Sequence, residues 1–183
     1  MSSSTPMRLK GERVVLREFE PSDASALAAV HSDPRVMRYY PPEVATLEHA
    51  QMLVAKFMEW ANDNPRRNFQ LAIVEATTAE LLGSCGVRSA QCPPGKAEFG
   101  VGIGPSSWGK GIAHEAVRLM FDFAFSELAL DEIYGVAVAE NEAVAKFARR
   151  LGLTPRPARQ NEAWMTERNW SAVEWVITRD AWR

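Results

Sequence analysis

A chain of 183 residues can bury roughly 70% of the surface that its unfolded form exposes, enough for one hydrophobic core without staples. With 46% hydrophobic and 24% charged residues and a formal net charge of -2, it lacks the basic surplus of a broad nucleic-acid or membrane-binding face. No apolar run approaches the ~20 residues of a membrane span, residues 1–5 lack the parts of a signal peptide, and Cys85 and Cys92 lack Cys-x-x-Cys spacing. These features predict a cytoplasmic protein, free thiols and no metal.

In chain order, residues 1–7 form a serine-rich tail expected to be disordered, and residues 8–183 a single domain. Val14, Val15 and Leu16 mark a strand over 13–19, and Pro21-Ser22-Asp23 starts a short helix that Asp33-Pro34 stops. The segment 35–45, rich in Pro, Arg and Tyr, reads as irregular. Thr46 caps a helix running to about Trp60. Strands at 69–75 and 81–88 join the strand 97–103 in a three-stranded meander. An apolar strand over 132–139 leads into a helix entered at Asn141 and closed by Gly152, and the last strand covers 173–178.

The organising stretch is 97–116. Phe99, Val101 and Ile103 keep the strand period, and Pro105 ends the ladder because it has no N–H. Beyond Trp108-Gly109-Lys110-Gly111 the apolar residues take up the helical period to Leu128, leaving one polar stripe of His114, Arg118, Asp122 and Ser126. Two glycines let backbone approach a ligand, and the free N–H groups of a helix start suit an anion such as a pyrophosphate. A plain strand-to-helix turn needing glycine for its dihedral angles gives the same letters.

Residues 104–110 also match the first seven positions of a Walker A phosphate loop, but Gly111 stands where the magnesium-binding Ser or Thr belongs, and a meander is the wrong context for that loop. Ser106-Ser107-Trp108-Gly109-Lys110-Gly111 instead resembles the Arg/Gln-x-x-Gly-x-Gly/Ala loop of the GNAT superfamily of acyl-CoA N-acyltransferases. The Asn141 helix and Leu151-Gly152-Leu153 resemble that family's closing motif. Leu16-Arg17-Glu18, Asp33-Pro34 and Ala97-Glu98-Phe99-Gly100 are similar to the ribosomal-protein-alanine N-acetyltransferase branch.

The resemblance implies an α+β GNAT fold, a central mixed and mostly antiparallel sheet with helices on both faces. It implies acetyl-CoA as cosubstrate, held by Val101, Ile103, Trp108, Gly109, Lys110, Gly111, Ile112, Ala113, Asn141 and Lys146. Its implied acceptor is a primary amine of a small molecule or a protein N-terminus, used by a monomer or homodimer. Three positions depart from the family's pattern: Ser106 for Arg or Gln, Val144 for Ser or Ala, and Ala148 for a tyrosine that would protonate the leaving thiolate. An acyl-CoA-binding regulatory module without turnover is therefore the alternative.

Acetyl transfer needs a neutral amine, and a Lys-like amine is mostly protonated at pH 7, so a carboxylate or water must take its proton. Glu98, on the strand before the turn, is the candidate; an ion-paired strand residue is the other reading of it. Tyr134 is a core aromatic or a substitute proton donor for the thiolate. Trp164 and Trp170, within 154–172, are candidate acceptor walls together with 35–45.

Overall fold

The computed structural model describes residues 6–182; residues 1–5 of the expected tail, and Arg183, lie outside the described residues. The chain divides into two compact units, Met1–Val87 with Gly100–Asp122, and Arg88–Phe99 with Phe123–Arg183. The strands, β1 (Arg8–Lys10), β2 (Val14–Arg17), β3 (Asn68–Glu75), β4 (Leu81–Arg88), β5 (Lys96–Ile103), β6 (Glu132–Val138), β7 (Thr154–Pro157) and β8 (Ala172–Thr178), follow the order β1-β2-β3-β4-β5-β6-β8-β7 in a mixed, mostly antiparallel sheet, the α+β GNAT architecture expected from sequence.

In the first unit β1 (Arg8–Lys10) pairs antiparallel with β2 (Val14–Arg17), and the Gly11 N–H closes the hairpin on the Val14 carbonyl at 2.9 Å. The expected strand 13–19 is thus shorter, and β1 precedes it. Three residues are too few to show an alternation, which is why β1 is silent in the sequence. Ser22 makes no side-chain cap for α1 (Asp23–Ser32). Asp23, the first residue of the helix, instead ties it to the chain before it, accepting from the Glu20 N–H at 2.8 Å and from both Arg17 guanidinium nitrogens at 2.8 and 2.9 Å. Burial is the largest influence and opposes its charge, but the Arg17 hydrogen bonds, the Glu20 N–H and the Arg17 charge together outweigh it and hold the carboxyl below the usual range.

The stretch read as irregular holds a one-turn helix, α2 (Pro34–Met37), and a 3-10 turn over Pro42–Ala45. Asp33-Pro34 ends α1 and also starts α2: the Asp33 carboxylate accepts from the Arg35 N–H at 2.9 Å, and proline suits the first helical position. Thr46 caps α3 (Leu47–Ala61) as expected, its Oγ1 accepting from the His49 N–H at 3.1 Å. One core of this unit joins Leu27, Ala50, Val54 and Phe57 of α1 and α3 to Val15, Ala72, Val74 and Leu81 of the strands. The meander appears as β3 (Asn68–Glu75), β4 (Leu81–Arg88) and β5 (Lys96–Ile103). Leu71, Ala72, Ile73 and Val74 are consecutive and all buried, so both faces of β3 are covered. On α4 (Ile112–Ser126) Ala116, Val117, Met120, Phe121 and Ala124 are fully buried, while Arg118, Asp122 and Ser126 of the polar stripe are exposed.

In the second unit β6 (Glu132–Val138) pairs in parallel with β5 over Lys96, Ala97 and Glu98, the crossover being supplied by α4. Gly135 lies beneath the Phe99 ring, and a Cβ there would come within 2.5 Å of it. Asn141 caps α5 (Glu142–Arg150), its Oδ1 accepting from the Val144 N–H at 3.3 Å. Gly152, at φ +84, occupies the expected left-handed position, and the Leu153 N–H bonds the Ala148 carbonyl at 3.0 Å. Two elements are new relative to the sequence reading: β7 (Thr154–Pro157) and α6 (Ala163–Glu167). Two prolines hide β7 from propensity, yet they are tolerated because it is an edge strand, paired only with β8 (Ala172–Thr178).

Candidate functional site

The turn between β5 and α4 is built from backbone. The Gly104 N–H bonds the Leu82 carbonyl at 2.9 Å, and the Gly102 carbonyl closely approaches Gly83, so Gly102 and Gly104 face β4. By strand alternation the N–H groups of Val101 and Ile103 point the other way. Both residues are half-buried. A 3-10 turn, Pro105–Ser107, follows; the Ser107 N–H bonds the Gly104 carbonyl at 2.9 Å and the Trp108 N–H bonds the Pro105 carbonyl at 3.1 Å. The Trp108 indole N–H donates to the Ile103 carbonyl at 3.1 Å, which fixes a side chain that is still 47% exposed.

Gly109 and Gly111 sit at φ +73 and +78, where a side chain strains the backbone. Among the described residues nothing accepts from the N–H groups of Gly109, Lys110, Gly111, Ile112 or Ala113. These five adjacent donors lie at the positive end of a 15-residue helix, where an anion is favoured. The glycines divide their duties, however. A Cβ on Gly109 would meet no atom within 4 Å, whereas one on Gly111 would lie 2.8 Å from the Arg13 guanidinium.

Arg13 is a residue that sequence reasoning treated only as the start of a strand. Its Nη1 donates to the Lys110 carbonyl at 2.6 Å, and its own N–H donates to Glu115 Oε1 at 2.8 Å. Nothing in the letters links residues 97 positions apart. A cavity of about 420 Å³ beside this contact is lined by Gly11, Arg13, Gly111, His114, Glu115 and Arg118, among others.

Glu98, Asn141 and Lys146 belong to the second unit, and Val101, Ile103 and residues 108–113 to the first. Glu98 carries the ion pair allowed for it: Arg88 Nη2 donates to its Oε1 at 3.0 Å, and the carboxylate is 42% exposed. Tyr134 is its register partner on β6. The Tyr134 hydroxyl lies 3.4 Å from Cys92 Sγ, the thiol is 3.3 Å from the Arg88 carbonyl, and Arg156 stacks over the Tyr134 ring at 5.6 Å. The Cys92 hydrogen bond first, then burial and the nearby negative charges, push the Tyr134 hydroxyl up to about 12. Cys85 is a buried strand residue, as its position suggested, and both thiols are free. Below this cluster Glu132 takes Lys96 at 3.2 Å and Arg156 at 3.0 Å, and Arg156 also binds Glu174 at 2.6 Å. Burial works against the Glu132 charge, but these donors outweigh it and keep its carboxyl below the usual range.

The side-chain oxygen of Asn141 is used by its helix, and Lys146 is exposed on α5. Ala148 is buried and offers no hydroxyl. Trp164 and Trp170 meet edge to face at 6.3 Å, with Arg168 over both rings. Arg35 lies 6.0 Å from the Trp108 ring and is paired with Asp33 at 2.7 Å. Among the described residues no three His, Cys, Asp or Glu side chains gather where they could hold a metal ion, and no helix is long and apolar enough to cross a membrane.

Comparison with known proteins bears on this geometry. The family model described as "Acetyltransferase (GNAT) domain" matches residues 13–154. An uncharacterized N-acetyltransferase, p20 of Bacillus licheniformis, is 31% identical over 76% of this chain and 78% of its own length. The spermidine N(1)-acetyltransferase of Escherichia coli K12 is 26% identical over 90% of this chain and 85% of its own. The crystal structure of the ribosomal-protein-S5-alanine acetyltransferase of Vibrio fischeri covers 97% of this chain and 99% of its own, with a TM-score of 0.75 and 19% identity, a likeness of fold. The turn, the strand before it and these matches agree: the chain belongs to the GNAT family of N-acetyltransferases, enzymes that use an acyl-CoA cosubstrate and an amine acceptor.

Proposed function

We propose that this chain, as one domain over residues 8–183, transfers an acetyl group from acetyl-CoA to a primary amine. The observation that carries the reading is the row of five N–H groups from Gly109 to Ala113 with no acceptor among the described residues, following a strand whose Val101 and Ile103 N–H groups face away from β4. The pyrophosphate sits on the turn, and the pantetheine arm runs along Val101 and Ile103. Trp108, Lys110, Asn141 and Lys146 supply side-chain contacts to the cofactor, Lys146 by charge. The Val101 N–H polarises the thioester carbonyl and receives the negative charge that develops on its oxygen.

The amine nitrogen attacks that carbonyl, the new C–N bond forms as the C–S bond breaks, and coenzyme A departs as thiolate. The proton leaving the amine passes to Glu98, directly or through a water. Glu98 suits this role because its Oε2 takes no hydrogen bond among the described residues while Arg88 holds Oε1. Glu98 as an anchor for a cationic acceptor is less favoured, since Arg88 already neutralises it. Tyr134 is a poor acid for the thiolate: its hydroxyl, pushed up to about 12, gives up its proton reluctantly to a thiolate whose conjugate acid has a pKa of about 8.5. The thiolate leaves unassisted, so Ala148 does not disable the reaction.

A specific observation favours a second reading, an acyl-CoA-binding module without turnover: Ala148 removes the family's acid and Arg88 occupies the candidate base. For the acceptor, the spermidine enzyme among the relatives points to a small polyamine, and the resemblance to the ribosomal-protein-alanine branch points to a protein N-terminus. Thiol release from acetyl-CoA, measured with spermidine, with peptides beginning in alanine or serine and with amine antibiotics, decides both questions. Release with any amine retains the enzyme; coenzyme A binding without release selects the module. Binding of ATP with magnesium in place of coenzyme A would overturn the assignment of the turn.

A further inference from the structure

We infer that Arg13 is a positioning residue for the cofactor turn, holding the Lys110–Gly111 peptide plane so that the Gly111 N–H faces the pyrophosphate beside the Ile112 N–H that α4 itself orients. The inference rests on the acyl-CoA reading of that turn. The Lys110–Gly111 peptide is trans, so its C=O and N–H point in opposite directions. The Arg13 Nη1 holds the Lys110 carbonyl at 2.6 Å, and the Gly111 N–H must therefore face away from Arg13.

The next plane is fixed as well. The Gly111 carbonyl accepts from the Glu115 N–H at 3.0 Å, which turns the Ile112 N–H outward. Glu115 closes the frame, because its Oε1 takes the backbone N–H of Arg13 at 2.8 Å and of Val14 at 3.4 Å. Gly11 permits the approach: a Cβ there would collide with Glu115 Oε1. Gly111 permits it from the other side, since any side chain would displace the Arg13 guanidinium. The β1–β2 hairpin tip is thus a strut under the turn. Without it, a two-glycine turn at positive φ is free to rotate its peptides, and each productive orientation must be restored on binding.

Calorimetry with coenzyme A and with 3′-dephospho-coenzyme A tests this, because both carry the pyrophosphate and only one the 3′-phosphate. Arg13→Ala should weaken both ligands by a similar factor, on the order of tenfold, the scale of one charge-assisted hydrogen bond. Arg13→Lys keeps a cationic donor on a slightly shorter stem and should stay within about threefold of the unaltered chain. Arg13→Met keeps the stem and loses the donor; it should match Arg13→Ala and carries the test should the alanine variant fail to fold.

Loss confined to coenzyme A, with dephospho-coenzyme A unaffected, would mean direct contact with the 3′-phosphate and would overturn the strut. Binding unchanged in Arg13→Met would overturn it too, as would a loss that Arg13→Lys does not restore. If the unaltered chain binds neither ligand, the acyl-CoA reading itself fails, and the inference falls with it.

Discussion

At the turn 108–113 the polar groups left without an acceptor among the described residues are backbone N–H donors, whereas around Glu98 the polar groups are side chains: Arg88, Cys92, Tyr134 and, stacked on the tyrosine, Arg156. The first arrangement presents main-chain donors, needs glycine at two positions and has a side chain, that of Arg13, behind it. The second depends on identity at every position, since each partner occupies a donor or acceptor of the next. A binding site for a large common cofactor can be made mostly of main chain. A site that moves a proton cannot, because only a side chain can change its protonation state at working pH.

This contrast can be broken most severely at the glycines. Replacing both Gly109 and Gly111 by valine should abolish coenzyme A binding, a loss above about a hundredfold, while the chain remains folded. The reason differs between the two. Gly109 has open space and is needed for its backbone angle, whereas valine at Gly111 would also evict Arg13. Undiminished binding in a folded double variant would show that the turn is not the cofactor site.

The second region is tested by Glu98→Gln, which should lower the turnover number by roughly 10²–10⁴ and leave cofactor affinity nearly unchanged. A raised Michaelis constant for the amine with normal turnover would assign Glu98 to acceptor binding. If neither constant moves, the proton goes to water or to another residue.

A smaller effect sharpens the side-chain half of the comparison. The chain has three tyrosines, and near-ultraviolet absorbance should show the phenolate of one of them appearing only near pH 12; Tyr134→Phe should remove that step. Because the folded value is raised above the unfolded one, this group's contribution to stability is complete below about pH 10 and lost as pH rises through about 12. Cys92→Ala should move the step down, since the Cys92 hydrogen bond is its largest cause. The same step in both proteins would disprove that cause. Turnover of Tyr134→Phe should stay within about threefold if the thiolate leaves unassisted.

The smallest change belongs to the turn. Ser106→Ala should leave coenzyme A affinity within about threefold, because one exposed neutral hydroxyl is worth on the order of 1 kcal/mol at most. A hundredfold loss would show that a side chain has taken over what the backbone is assigned here.

How much could be read beforehand follows the same division. The meander, the turn and the Asn141 helix were legible because periodicity, proline and glycine act on neighbours in the chain. Asp33-Pro34 reads as a stop in the sequence and is a start as well, since a cap and a terminator can be the same residues. β1 and β7 escaped, one too short to alternate and one carrying two prolines. Their existence depends on an adjacent strand, which the letters of the segment do not contain. Glu98 was legible as a carboxylate on the strand before the turn, but not its pairing with Arg88, nor the meeting of Cys92 with Tyr134.

By itself, the sequence determined where the backbone turns, which faces are apolar and where a helix start is left open to an anion, because these are local consequences of side-chain shape and backbone freedom. Only the tertiary structure decided that Arg13 would hold the Lys110 carbonyl and that Glu98 would face Arg88. Hydrogen bonds of that kind form between groups brought together by the sheet, and no propensity of either residue encodes its partner.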